Sequence, residues 1–316
     1  APLVALRSFQ GTARTTPSSA DSDAVNVRQL QYFLQIAELR SFTRAANVLH
    51  IAQPALSRQI RALEDELGTA LFHRFERGVT LTEAGLLLRD RAAAILRDLE
   101  RLREDIAAQG NDPRGEVSLG MPPSMREMVT VPLAGEVRQR HPQVVMHLYE
   151  GISVFLNEQV RQGKIDCAVV SDLEPLAQVE SEPLLTEQLY LLAPPEAGLR
   201  ADQPVSLESV SQQTLILTSR PNSLRLIVEN ALAAAQLPLR IVIDGNSTAA
   251  MVDLVAQGIG CSVLPYCAAD SGLRQGRLSA APIEGLHVAW TMIYSRERGL
   301  SPVGTLVRDM LQEMVR

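Results

Sequence analysis

Between residues 28 and 82 the apolar positions fall into short helical runs. Leu30, Phe33, Leu34 and Ala37 recur at the spacing of one helix face. Ser41 and Thr43 are candidate caps for a short helix carrying Ala45, Ala46 and Leu49. His50-Ile51-Ala52 forms a tight connection. Pro54 then stands at the start of a further helix, where its missing N–H costs nothing. That helix is predicted to bury Leu56, Ile60, Leu63 and Leu67 and to stop at Gly68. Leu71 and Phe72 lead into a small wing whose turn suits Gly78, and Thr82 caps a long helix. On that helix Leu88, Ala92, Ile95, Leu99, Leu102 and Ile106 alternate at spacings of four and three. A 3.5-residue repeat is the seam of a coiled coil, so residues 83–110 are expected to pair with another chain. The plainer alternative is a seam packed against its own domain.

Residues 109–115, with Gly110, Pro113 and Gly115, read as a hinge. Beyond it, short apolar runs alternate with helical segments. Strands are predicted near residues 117–120, 144–149, 166–170, 215–217 and 241–243. Helices are predicted over 125–140, 154–162, 223–235 and 248–257. This alternation predicts parallel sheets with helices on their faces. No solenoid-type repeat is present in the sequence.

The chain has 316 residues, 46% of them hydrophobic, enough for two or three cores. Its net charge of −6 argues against a nucleic-acid partner only as an average. Residues 28–80 hold seven Arg against five Asp and Glu, and the placement of cations matters more than the sum. No apolar run reaches membrane-spanning length. Residues 1–25, rich in Ser, Thr, Ala and Arg without helical period, are expected to form a disordered extension, with a transit peptide as the alternative. Cys167, Cys261 and Cys267 make no disulfide framework, and no Cys/His group has zinc-ligand spacing. No metal or cofactor is expected.

Two short helices joined by a tight turn form a helix-turn-helix, whose second helix enters the major groove. Its first turn carries Gln53, Pro54, Ser57 and Arg58. Gln can pair bidentately with adenine and Arg with guanine. Arg61 lies further along the exposed side, suited to a phosphate, and Thr43 at a helix start is a second phosphate candidate. Arg74 and Arg77 flank the wing, within reach of the backbone or a minor groove. The alternative for each Arg is plain solvation.

These residues also resemble a known family. Arg28-Gln29-Leu30-Gln31-Tyr32-Phe33, Ser41-Phe42-Thr43-Arg44-Ala45-Ala46, Ala52-Gln53-Pro54-Ala55-Leu56-Ser57-Arg58-Gln59-Ile60, Leu63-Glu64, Leu67-Gly68, Leu71-Phe72 and Leu81-Thr82-Glu83-Ala84-Gly85 are similar to the LysR-type transcriptional regulators over residues 26–92. Gly120-Met121-Pro122-Pro123-Ser124 looks like the nitrogen-assimilation-control branch, whose members need not require a small effector. The resemblance implies a multidomain α/β protein. A winged helix-turn-helix would span residues 26–82 and a dimerising linker helix 83–110. An effector domain over 116–316 would resemble type 2 periplasmic binding proteins. One lobe would comprise 116–185 and 290–316, the other 186–289, with a ligand cleft between them. It further implies a cytoplasmic regulator, dimeric or tetrameric, on inverted-repeat double-stranded DNA, with RNA polymerase as a candidate partner.

In such a cleft, helix N-termini favour anions. The candidate effector residues are Ser124, Met125, Ser153, Thr218, Asn222, Ser223, Ser247 and Thr248, with Arg220 adding a cation suited to a carboxylate. Helix capping explains the same Ser, Thr and Asn without a ligand. Thiol redox sensing through Cys261 and Cys267 is an alternative, against burial of small hydrophobes. A cytoplasmic solute-binding protein would share the two lobes but not the helix-turn-helix. An enzyme is disfavoured because the sequence has no Gly-x-Ser-x-Gly setting, P-loop or dinucleotide fingerprint.

Overall fold

The computed structural model describes residues 25–75, 78–107, 113–171 and 178–315. The expectations for residues 1–24, Arg77 and 108–112, and for the side chain of Ile106, lie outside the described residues. The chain divides into two compact units, with the division between Leu96 and Arg97.

The first unit begins with α1 (Val27–Leu39), α2 (Phe42–Val48) and α3 (Gln53–Leu67). Asn26 and Gln29 form a capping box at the start of α1, and Ser41 caps α2 by accepting from Arg44 N–H. Thr43 lies inside that first turn. Leu30, Phe33, Ile36, Ala45, Ala46, Leu56, Ile60 and Leu63 are buried together. Leu67, expected in that core, is exposed instead, because Gly68 turns left-handed (φ 64°) directly after it.

A two-stranded wing follows, β1 (Phe72–Phe75) antiparallel to β2 (Gly78–Leu81). Phe72 ties the wing to the helices, its ring centroid 5.2 Å from Phe33 and 5.7 Å from Phe42. Val79 N–H donates to Arg40 O, 3.2 Å away. Gly78 sits against that carbonyl at φ 146°, where a Cβ would come within 2.8 Å of it. Then α4 (Glu83–Ala107) begins. Thr82 caps it, its Oγ1 accepting from Gly85 N–H at 3.0 Å and donating to Ala70 O at 2.7 Å.

The second unit contains β3 (Gly115–Met121), α5 (Val131–Arg140), β4 (Val144–Glu150), α6 (Ser153–Arg161), β5 (Cys167–Ser171), β6 (Val179–Ala193), α7 (Leu207–Ser211), β7 (Leu215–Thr218), α8 (Ser223–Ala234), β8 (Ile241–Gly245), α9 (Thr248–Ala256), β9 (Cys261–Pro265), α10 (Asp270–Arg274), β10 (Ser279–Ser295) and α11 (Pro302–Val315). Its sheet has eight strands in the order β4-β3-β5-β10-β6-β9-β7-β8. The expected parallel strands are present as two groups within one mixed sheet. β3 runs parallel to β4 and β5, and β7 parallel to β8 and β9. The long β6 and β10 run antiparallel to each other between those groups.

These two strands join the lobes. Their register slips where Trp290 faces Leu185 and Thr291 faces Pro183, a bulge that bends a ladder and raises its twist. The predicted helix over 125–140 is instead three pieces: a 3₁₀ turn (Pro123–Met125), a π-turn (Arg126–Thr130) and α5. Pro132, without an N–H, cannot continue an earlier α-ladder.

Candidate nucleic-acid interface and effector cleft

On α3 the buried face and the exposed face separate cleanly. Leu56, Ile60 and Leu63 point into the core. Gln53, Pro54, Arg58 and Arg61 are exposed and Ser57 is half-buried. Gln53 Nε2 donates to Ser57 Oγ at 2.9 Å, one helical turn away, so the two share a face. Among the described residues, no carboxylate pairs with Arg58 or Arg61. Thr43 is exposed near the N-terminus of α2.

Arg74 differs. Its guanidinium lies 4.8 Å from the centroid of the Phe42 ring and 3.8 Å from Glu64. Glu64 also accepts Leu71 N–H at 2.8 Å. Arg74 therefore braces the wing against α2 and α3, while its side chain stays 41% exposed. The sequence pattern could not show this, because Phe42 and Glu64 reach Arg74 from two other elements.

Along α4, Ile95 (48% exposed) and Leu102 (55%) remain open, and Leu99 is half-buried. Leu88 packs against the winged-helix core, so the upper end of the seam belongs to its own domain. Leu86 and Leu87, which the heptad reading passed over, are exposed on the same helix.

Ser124, Ser153, Thr218, Asn222, Ser223 and Thr248 converge on one small chamber of about 30 Å³ between the lobes. Ser153 Oγ accepts Ser171 N–H at 2.9 Å and lies 3.1 Å from Ser171 Oγ, which in turn meets Ser223 Oγ of the other lobe. Asn222 caps α8 by accepting from Leu224 N–H at 3.0 Å, and Ser247 caps α9 by accepting from Ala250 N–H at 3.3 Å. Thr218 is buried, yet no described group hydrogen-bonds its Oγ1.

Three expected residues stand elsewhere; Ser247 lines the larger cavity described below. Met125 is buried in the main apolar core, because the 3₁₀ turn points it inward. Arg220 is turned to Glu229, 2.7 Å away, which also holds Arg225 at 2.6 Å.

A larger cavity of about 370 Å³ adjoins the small chamber and shares Pro123, Ser124, Asn246 and Thr248 with it. It brings in charges that sequence reasoning missed: Arg126, Glu127, Glu150, Asp253 and Arg277. They come from four separate segments, so no local motif announces them.

Both candidate redox thiols are held protonated. Burial pushes the Cys261 thiol above its ordinary range. Cys267 is pushed up further, by burial and then by Glu187, whose carboxylate accepts from its Sγ at 3.5 Å. The strand β9 separates the two cysteines, about 13 Å along its own length, whereas a disulfide needs Cα atoms within about 7 Å. Pairing them would require β9 to leave β6 and β7.

A winged helix-turn-helix with an exposed polar face on its second helix, followed by a two-lobed domain with a cleft, defines a DNA-binding transcription regulator with an effector domain. Residues 27–86 match the bacterial regulatory helix-turn-helix protein, lysR family, and residues 110–316 match the LysR substrate binding domain. The chain is 34% identical over 294 residues to the nitrogen assimilation regulatory protein nac of Escherichia coli (strain K12), covering 92% of this chain and 95% of that protein. It is 31% identical over 280 residues to the HTH-type transcriptional regulator BbuR of Bordetella bronchiseptica, covering 88% and 86%. Full-length OxyR from Pseudomonas aeruginosa shares the fold with a TM-score of 0.71 at 24% identity, over 93% of this chain and 95% of that one. CbnR bound to its target DNA does so with a TM-score of 0.70 at 24% identity, over 92% and 99%. The chain belongs to the LysR family of transcription regulators. No helix among the described residues is long and apolar enough to cross a membrane.

Proposed function

We propose that α3 reads an inverted-repeat operator, with Gln53, Pro54, Ser57 and Arg58 at base edges in the major groove. Arg61 and Thr43 contact phosphates, and the wing that Arg74 braces lies along the backbone. One observation carries this reading. The exposed face of α3 presents Gln53, Ser57 and an unpaired Arg58 together, while its opposite face is committed to the core.

Two chains pair through α4, where Ile95 and Leu102 supply uncovered apolar area. The effector domain offers further faces for self-association. Val145, Leu148 and Tyr149 are exposed on the edge strand β4, and Val154 and Phe155 on α6. Ile241 and Val242 are exposed on the opposite edge strand, β8. Two such contacts per chain suffice for a tetramer built from dimers. The chain acts in the cytoplasm as a regulator and not as an enzyme.

The effector is a small molecule with a carboxylate. That group enters the small chamber, where α6 and α8 begin and where Thr218 Oγ1 awaits a partner. Binding shifts the lobes about the β6–β10 bulge and so the spacing of the DNA-reading helices. The test is selection from a random duplex library with the full chain. An inverted repeat with half-sites about one helical turn apart, or a multiple of it, is the expected product. Enrichment of no sequence would overturn the reading.

A further inference from the structure

Within the larger cavity the charges do not balance evenly. Arg126 pairs with Glu127 at 3.4 Å, and Arg277 with Asp253 at 3.0 Å. Glu150 remains: it closes β4, lines the cavity, and no cation among the described residues pairs with it. Its neighbour Gly151 lines the small chamber, so Glu150 stands near the passage between the two spaces.

The two spaces therefore ask for opposite charges. The small chamber offers the N-terminal turns of α6 and α8 and the hydroxyl of Thr218, a buried residue whose Oγ1 is open to the chamber and bonded to no described group. These stabilise a carboxylate. The adjoining cavity offers a free carboxylate, which repels a second anion and attracts a cation. A simple carboxylate leaves Glu150 unanswered, and a dicarboxylate is opposed by it.

We propose that the effector is a small zwitterion, a molecule carrying one carboxylate and one primary ammonium, with the ammonium facing Glu150. This rests on the reading of the interlobe cleft as the effector site. It sharpens that reading by naming Glu150 as the residue that selects an amine. The volume of about 370 Å³ accommodates an amino acid with its side chain.

Titration calorimetry on the full chain tests it. One panel holds the common L-amino acids with β-alanine and γ-aminobutyrate. A second holds matched compounds without the amine, including propionate, butyrate and succinate. A third holds amines without a carboxylate, such as putrescine. At least one member of the first panel is expected to bind, and its deaminated match to bind at least about fivefold more weakly, the worth of one exposed ion pair. Glu150→Gln should cost the amino acid a similar factor and leave the affinity of any bound simple carboxylate unchanged. Glu150 is exposed, so this variant keeps the fold, which an unchanged Tm verifies. Equal binding of amino acids and their deaminated matches, or indifference of the amino acid to Glu150→Gln, would overturn the zwitterion and leave the cleft standing. Binding that survives Thr218→Val unchanged would remove the cleft reading itself. No binding from the first panel, or binding by amines alone, also overturns the proposal.

Discussion

Thr218→Val separates a ligand-binding role from a structural one. Thr218 ends β7 and is 5% exposed, and no described group satisfies its hydroxyl. A buried hydroxyl without a partner costs about 1–3 kcal/mol. Because Oγ1 is open to a chamber large enough for about one water, the cost here is at most about 1 kcal/mol. Valine has the same shape and removes that cost without orphaning another group. The ligand-free protein should therefore lose no stability and gain at most about 1 kcal/mol, which for a domain of this size raises Tm by no more than about 2–4 °C. Differential scanning calorimetry on the full chain reads the change. Such a gain marks a residue kept for function at the expense of stability. A fall in Tm of similar size would show that the hydroxyl is tied into the fold, and would refute the argument that it awaits a ligand.

Three further outcomes follow from the same geometry. Ile95→Glu combined with Leu102→Glu removes four half-exposed apolar side chains from a paired α4, each worth about 1 kcal/mol, so the dimer should weaken about a thousandfold in sedimentation experiments. An unchanged dimer would place the interface elsewhere. Cys261 and Cys267 have thiols shifted upward, so their thiolate fraction at pH 7.5 lies below that of a free cysteine. Alkylation of the folded chain should be slower than that of the urea-unfolded chain and should accelerate only as pH rises. Rapid modification at pH 7.5 would revive the redox reading. Arg61→Ala should lower affinity for all DNA sequences alike and reduce the salt slope by about 1, read by fluorescence anisotropy across salt concentrations. A loss confined to one sequence would make Arg61 a base reader.

The winged helix was legible because its signals are local. Apolar spacing places Phe33, Leu56, Ile60 and Leu63, and Ser41, Gly68 and Thr82 mark the element ends. The effector domain was legible in its alternation and opaque in its long strands. Nothing local in residues 179–193 or 279–295 shows that they run antiparallel to each other, since that pairing is made across about a hundred residues. The hydroxyls around the cleft could be named only because the family resemblance implied a cleft that helix starts would face; helix-start chemistry alone explains them equally as caps. The charges could not, because Arg126, Glu150, Asp253 and Arg277 meet only in space. Arg220 was the natural choice for a carboxylate, and Glu229, nine residues on, takes it instead.

The central claim is that Arg58 reads bases from the first turns of α3. The most direct measurement compares wild type and Arg58→Ala on the selected operator, on operators with single base changes, and on unrelated duplex, at one fixed salt concentration. The account predicts a loss of about 1–3 kcal/mol on the operator, relaxed discrimination at one position of each half-site, and little change on unrelated duplex. The oligomer should be unaltered. An Arg58→Ala protein that keeps the full specificity ratio at every position would contradict it.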